Sequence, residues 1–236
     1  MPVVIQVFSD YACPYCYLGN VIVRRAAAHT GVEIVHRAFQ LPPIADEASE
    51  RVAARIADGW RNSILPLAQT LGLEMRQPAR APLTRRAHEA AAWARTQGAF
   101  EPFQQALFQA VFAEHKDVNE MSVLREIAWR VGLHPQALES ALHEQQQADE
   151  VDEDLLIAET YGVTMVPTFI ISGHQLRGVQ DEAKLRRVIE LARDGKLDAE
   201  AKKLPHLPIT IKPSPANGPS PANGPSSTNG GQTSHA

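Results

Sequence analysis

The chain has 236 residues, 44% of them hydrophobic, with a formal net charge of −4 and only two cysteines. That apolar share is enough for the core of one large domain or two small ones. The mild acidity gives no reason to expect a nucleic-acid or anionic-membrane partner, and no apolar run approaches the ~20 residues that span a bilayer.

Met1-Pro2 leads at once into an apolar, β-branched run from Val3 to Phe8, which reads as a buried strand. With no basic leader, long apolar stretch or small-residue cleavage site before it, the expected compartment is the cytoplasm, where a disulfide is transient and catalytic. Next comes Ser9-Asp10-Tyr11-Ala12-Cys13-Pro14-Tyr15-Cys16-Tyr17-Leu18-Gly19, holding both cysteines at C-x-x-C spacing. From Asn20 to Thr30 the chain lacks Gly and Pro and reads as a helix ended by Gly31.

The cysteine pair therefore falls where a strand stops and a helix starts. Unsatisfied N–H groups and the positive end of the helix dipole favour a thiolate at Cys13, lowering its pKa below the roughly 8.5 of a free cysteine. Pro14 suits the first helical position, where its missing N–H would have had no partner. Cys16 is one turn further on the same face and can close a disulfide with Cys13. So small a ring constrains little of the chain, so exchange is its expected use, Cys13 attacking and Cys16 resolving. A zinc site would need further ligands, yet there is no second Cys pair and the nine histidines are scattered.

Val32 to Phe39 reads as a second strand, parallel to the first through a right-handed crossover. From about Asp46 to Tyr161 the pattern is helical, with an interruption expected at Pro66. Thr84 is expected to cap a helix stopped by Gly98, and further helices cover Phe100–Glu114, Glu120–Val131, a segment opened by Pro135, and a last one carrying Leu155 to Tyr161. Strand signals return at Thr168–Ile171 and Gln175–Gly178 around Ser172-Gly173, a hairpin. Asp181 caps a final amphipathic helix ended by Gly195. Repeats of Pro-Ser-Pro-Ala-Asn-Gly type from Pro213 onward read as a disordered tail over 203–236.

Strand, C-x-x-C, helix, strand, then hairpin and helix is the order of the thioredoxin fold, with Val166-Pro167-Thr168-Phe169 as its second redox landmark. The helical block between the halves makes the chain resemble the DsbA superfamily. Its FrnE-type branch is the most similar, on Phe8-Ser9-Asp10, Cys13-Pro14-Tyr15-Cys16-Tyr17-Leu18-Gly19, Pro82-Leu83-Thr84-Arg85-Arg86-Ala87-His88 and Val166-Pro167-Thr168-Phe169. This resemblance, spanning about residues 3–195, implies an α/β, thioredoxin-like fold with a large all-helical insertion between the second and third strands. The thioredoxin-like unit would comprise 1–41 and 162–200, and the insertion 42–161. It further implies that Pro167 is cis and faces Cys13, that the Val166 backbone pairs with an incoming substrate strand, and that Pro14 and Tyr15 contact substrate.

The activity so implied is thiol–disulfide exchange on protein or small-molecule thiols and disulfides, with no bound cofactor and glutathione as the candidate redox partner. The family commonly has Trp at position 15, Gly at 165 and Asn at 83, where this chain has Tyr15, Met165 and Leu83. Some members carry a second cysteine pair, absent here, so Cys13–Cys16 must be recharged by a small thiol or a partner. Tyr15 cannot stabilise a thiolate by charge as the histidine of DsbA's Cys-Pro-His-Cys does, so a less oxidising pair is expected. A rival reading comes from kappa-class glutathione transferases and hydroxychromene-carboxylate isomerases, which share the fold but typically place a serine at the active position. A chaperone-like peptide binder with incidental cysteines is a third.

Among the remaining residues, Asp10 is a candidate acid or base, or simply a loop-capping carboxylate. His88 is a candidate for the cleft between the two units, or a structural histidine. Trp60, Trp93 and Trp129 are expected in packing. Arg85-Arg86 and Arg186-Arg187 read as solvated helix faces, or as contacts for a glutathione carboxylate.

Overall fold

In the computed structural model, residues 3–42 and 50–201 are described, the last two without their side chains. The N-terminal half of the thioredoxin-like unit is β1 (Val4–Ser9), α1 (Pro14–Ala27) and β2 (Glu33–Ala38). The two strands pair in parallel from Val4↔Glu33 to Ser9↔Ala38, as a strand–helix–strand crossover requires. After the helical block come β3 (Thr168–Ile171), β4 (His174–Arg177), α9 (Glu182–Arg193) and a short α10 (Leu197–Ala201) that the sequence pattern did not suggest. β3 is antiparallel to both β1 and β4, giving the sheet order β2-β1-β3-β4.

Between β2 and β3 lie α2 (Glu50–Gly59), a π-helical turn (Trp60–Ile64), α3 (Leu65–Leu71), α4 (Arg85–Thr96), α5 (Phe100–Phe112), α6 (Met121–Arg130), α7 (Pro135–His143) and α8 (Ala148–Thr160). The π-turn stands just ahead of Pro66, whose missing N–H leaves the Asn62 carbonyl without its helical donor, so the interruption expected there is a local widening. The last helix of the block, expected to carry Leu155 to Tyr161, already begins at Ala148, so Asp149 and Glu150 fall in the first turn of α8, where they suit the positive end of the dipole.

The buried core is continuous from Ile5, Phe8 and Phe169 in the sheet, through Tyr17 and Leu18 of α1, to Phe103, Phe108 and Phe112 of α5. Two expectations need correction. Trp129 is 75% exposed on α6, because the apolar stripe of that helix is Leu124, Ile127 and Ala128 and Trp129 falls outside it. Thr84 occupies the N-cap position of α4 but makes no capping hydrogen bond, since its side chain faces the Asp10 carboxylate instead. Asp181 does cap α9, accepting from the Lys184 N–H at 3.0 Å. Among the described residues no helix is long and apolar enough to cross a membrane. The expected tail at 203–236 lies outside the described residues, as does most of the segment leading from β2 into α2.

Candidate active site

Cys13 is the N-cap of α1, with extended backbone (φ −98°, ψ 112°), and Pro14 follows in the first helical turn. The approach is fixed by a tight turn in which the Cys13 N–H donates to the Asp10 carbonyl at 3.1 Å and the Cys16 N–H to the Cys13 carbonyl at 3.0 Å. Register brings the second landmark to the same place. Phe8, one residue from the end of β1, pairs with Thr168 at the start of β3, so Val166 and Pro167 stand beside the turn that carries Cys13. The Cys13 thiol donates to the Val166 carbonyl at 3.6 Å, and the Val166–Pro167 peptide bond is cis.

Gly19, within α1, permits this approach. A Cβ there would stand 3.1 Å from Pro167 Cγ and 3.3 Å from Phe169 Cζ. Tyr15 is partly buried and its hydroxyl reaches α2, 3.7 Å from where a Cβ on Gly59 would be. Tyr17 anchors α1 to the insertion by stacking on Phe108 at 5.1 Å and lying near Phe112 at 6.3 Å.

Both cysteines are free thiols, and their surroundings differ. The Cys16 thiol beside it lowers the Cys13 pKa, assisted by the Cys16 and Tyr15 N–H groups of the helix start, against burial and the Asp10 charge. Cys16 is 1% exposed, and burial, its bond to Cys13 and the charge Cys13 carries as a thiolate push it well above the usual thiol value. The Asp10 N–H donates to Cys16 Sγ at 3.5 Å. One thiol is prepared to ionise and its neighbour to stay protonated.

The Asp10 carboxylate is 1% exposed and holds the turn together, accepting from the Ala12 N–H at 3.1 Å and the Leu41 N–H at 2.6 Å. Burial opposes its ionisation, yet the His88 ring, the Leu41 N–H and the Thr84 hydroxyl outweigh that and keep its pKa below the ordinary 3.8. His88 comes from α4 in the insertion, its Nε2 3.6 Å from Asp10 Oδ1, an ionic separation longer than a hydrogen bond. Tyr11 packs on that ring at 4.8 Å and on Phe108 at 5.0 Å.

The sequence singled out Asp10 and His88 separately; their pairing depends on docking the insertion and is invisible to local pattern. Gly19 and Tyr11 carried no signal beyond membership of the quoted motifs, and Thr84 was singled out only as a helix cap. Of the arginines, Arg85 is tied to Glu89, to Asp152 and to the Ala148 carbonyl, and Arg86 donates to the Asn119 carbonyl at 2.6 Å.

The model of the DSBA-like thioredoxin domain matches residues 4–190, and the chain belongs to that family. It is 30% identical over 200 residues to YwbO of Bacillus subtilis, an uncharacterized protein, covering 80% of this chain and 96% of that one. Its fold is similar to that of a probable DsbA oxidoreductase from Streptomyces coelicolor, with 26% identity and a TM-score of 0.72 over 81% of this chain and 90% of that one. It is also similar in fold to a 2-hydroxychromene-2-carboxylate isomerase, with 21% identity and a TM-score of 0.68 over 84% of this chain and 98% of that one.

Proposed function

We propose that the protein is a thiol–disulfide oxidoreductase in which Cys13 is the nucleophile and Cys16 the resolving thiol. The observation that carries this reading is the opposed preparation of two free thiols at one helix N-terminus, Cys13 favoured as thiolate and Cys16 held as thiol. In the reducing direction, Cys13 Sγ attacks a substrate disulfide, forming a mixed disulfide and expelling one substrate thiolate. Cys16 then loses its proton and attacks Cys13 Sγ, closing the Cys13–Cys16 disulfide and releasing the second substrate thiolate. Two electrons pass to the substrate. Two molecules of glutathione return them to the pair and leave as glutathione disulfide.

Val166, whose carbonyl accepts from the Cys13 thiol, its neighbour Pro167, and Pro14 and Tyr15 next to Cys13 in the chain are the residues proposed to contact substrate. An extended chain can pair with the backbone at Val166. The proposed compartment is the cytoplasm, where glutathione keeps such a pair in turnover.

The test is the redox equilibrium of the pair in graded glutathione buffers, with free thiols trapped by alkylation and counted by mass. A two-electron transition that disappears in Cys13→Ser and in Cys16→Ser supports the reading, and failure to form an intramolecular disulfide at any ratio overturns it. The isomerase-like fold motivates a second reading, a glutathione-dependent isomerase in which the residue at position 13 positions bound glutathione. Isomerisation that survives Cys16→Ser favours that reading, because only exchange needs the second sulfur.

A further inference from the structure

Val4 and Gln6 are only half-buried, although β1 is a central strand of the sheet. Cross-strand partners share a face, so Gln6, Ile170 and Gln175 form one row across β1, β3 and β4. At the N-terminal end of β1 that face opens into a recess of about 370 Å³, within the range of ligand pockets. Val4, Gln6 and Ile170 line it, together with the Ser172-Gly173 turn and Tyr161 just after α8. In the same row, Gln175 is 2% exposed. Its Oε1 accepts from Arg177 Nε at 2.8 Å, and its Nε2 has no hydrogen-bond partner among the described residues.

The chain itself supplies a segment of fitting chemistry close by. α10 is tied to β4 by His174 Nε2 and Asp198 Oδ1 at 2.7 Å, and His174 directly follows the Ser172-Gly173 turn of the recess. Beyond α10, outside the described residues and ahead of the repeats that begin at Pro213, stands Leu204-Pro205-His206-Leu207-Pro208-Ile209-Thr210-Ile211. Four of these eight residues are Leu or Ile, and none is Asp, Glu, Lys or Arg. Its two prolines bar a helix, favour extended backbone and leave every carbonyl free to accept. Six residues separate Ala201 from Leu207, a reach of about 20 Å in extended chain.

We propose that residues 204–211 fold back as a strap over this recess, setting Leu207 and Ile209 against Val4 and Ile170. The docking removes apolar surface from water on both sides. A strap carbonyl accepts from Gln175 Nε2, so the buried amide gains the partner it lacks. The short tether favours the chain's own segment over that of a second copy, because it holds the segment beside the recess at an effective concentration in the millimolar range. β1 runs from the recess to the turn that carries Cys13, about 20 Å away. The strap therefore lies at the end of the sheet remote from the cysteines and is independent of their chemistry. It also sets the repeats to leave the molecule on the side opposite the redox pair.

The direct test is methyl NMR on the full, unaltered chain. Nuclear Overhauser contacts between the methyls of Leu207 or Ile209 and those of Val4 and Ile170 are expected within one chain. Absence of any such contact overturns the proposal. Contacts that appear only between differently labelled chains in a mixed sample overturn it too, since they assign the recess to a second copy.

A second measurement uses the full chain carrying Leu207→Asp with Ile209→Asp. The pair is expected to shift the Val4 and Ile170 methyl resonances and to lower the folding equilibrium constant in urea at least about tenfold, since two apolar side chains lose their cover. The charge-matched change Ala216→Asp with Ala222→Asp, within the repeats, is expected to alter neither. No response to the first pair, or an equal response to both, overturns the proposal.

Discussion

Cys13 and Cys16 share a helix face, and Cys13 is both the less buried of the two and the one more ready to ionise. Limiting iodoacetamide at neutral pH is expected to label Cys13 at least about tenfold faster than Cys16, read by peptide mass mapping. Equal rates would contradict the assigned roles. His36 makes a different prediction. Its buried ring packs on Phe100 at 5.2 Å and is neutral in the fold, with a pKa of about 3 against 6.5 in the unfolded chain. Between those values the unfolded chain binds the extra proton. The stability from a neutral His36 is therefore complete above about pH 6.5 and drains away as pH falls, reaching about 3 kcal/mol lost by pH 4. His36→Gln is expected to flatten the pH dependence of urea unfolding in that window, and an unaltered slope would refute it.

Helices and strands meet at a few deciding contacts. Asp154 of α8 binds the edge strand β2 twice, accepting from Arg37 Nη1 and from the Ala38 N–H, both at 2.8 Å. Asp154→Ala strands a buried N–H, and because Arg37 can still turn to water the expected cost is about 2 kcal/mol, measured by chemical denaturation. Gly19→Ala acts where α1 meets Pro167 and Phe169. The neighbouring Thr168 and Phe169 are fully buried, so Pro167 cannot yield, and crowding of about 1–3 kcal/mol outweighs the gain of about 0.5–1 from replacing a helical glycine. We expect lower stability together with slower disulfide exchange in that variant; a more stable protein of native activity would contradict this.

These contacts mark what the chain discloses locally. The C-x-x-C with Pro14, the β-branched runs and the Asp181 cap were legible because each is set by neighbours in sequence. The Asp154 bridge, the exposure of Trp129 and the turning of Thr84 toward Asp10 were not, since each depends on which helix docks where. α2 shows the same limit, for its apolar stripe is clear in the sequence while none of its residues is buried.

The described residues share one continuous core, because Tyr17 of α1 stacks into the aromatic cluster of α5 and Trp60 closes on Phe112 at 6.0 Å. Thermal unfolding is therefore expected as one cooperative transition, with near- and far-ultraviolet circular dichroism coincident. Two separated transitions would show that the insertion melts by itself. The separation of Cys13 from Val166 by 153 residues also bears on biosynthesis. At about 5–20 residues per second, the ribosome needs about 8–30 s between making Cys13 and making the carbonyl that faces it. During that interval β1 lacks the β3 strand that flanks it in the finished sheet. Until then the pair lacks the Val166 carbonyl that accepts from the Cys13 thiol in the finished fold.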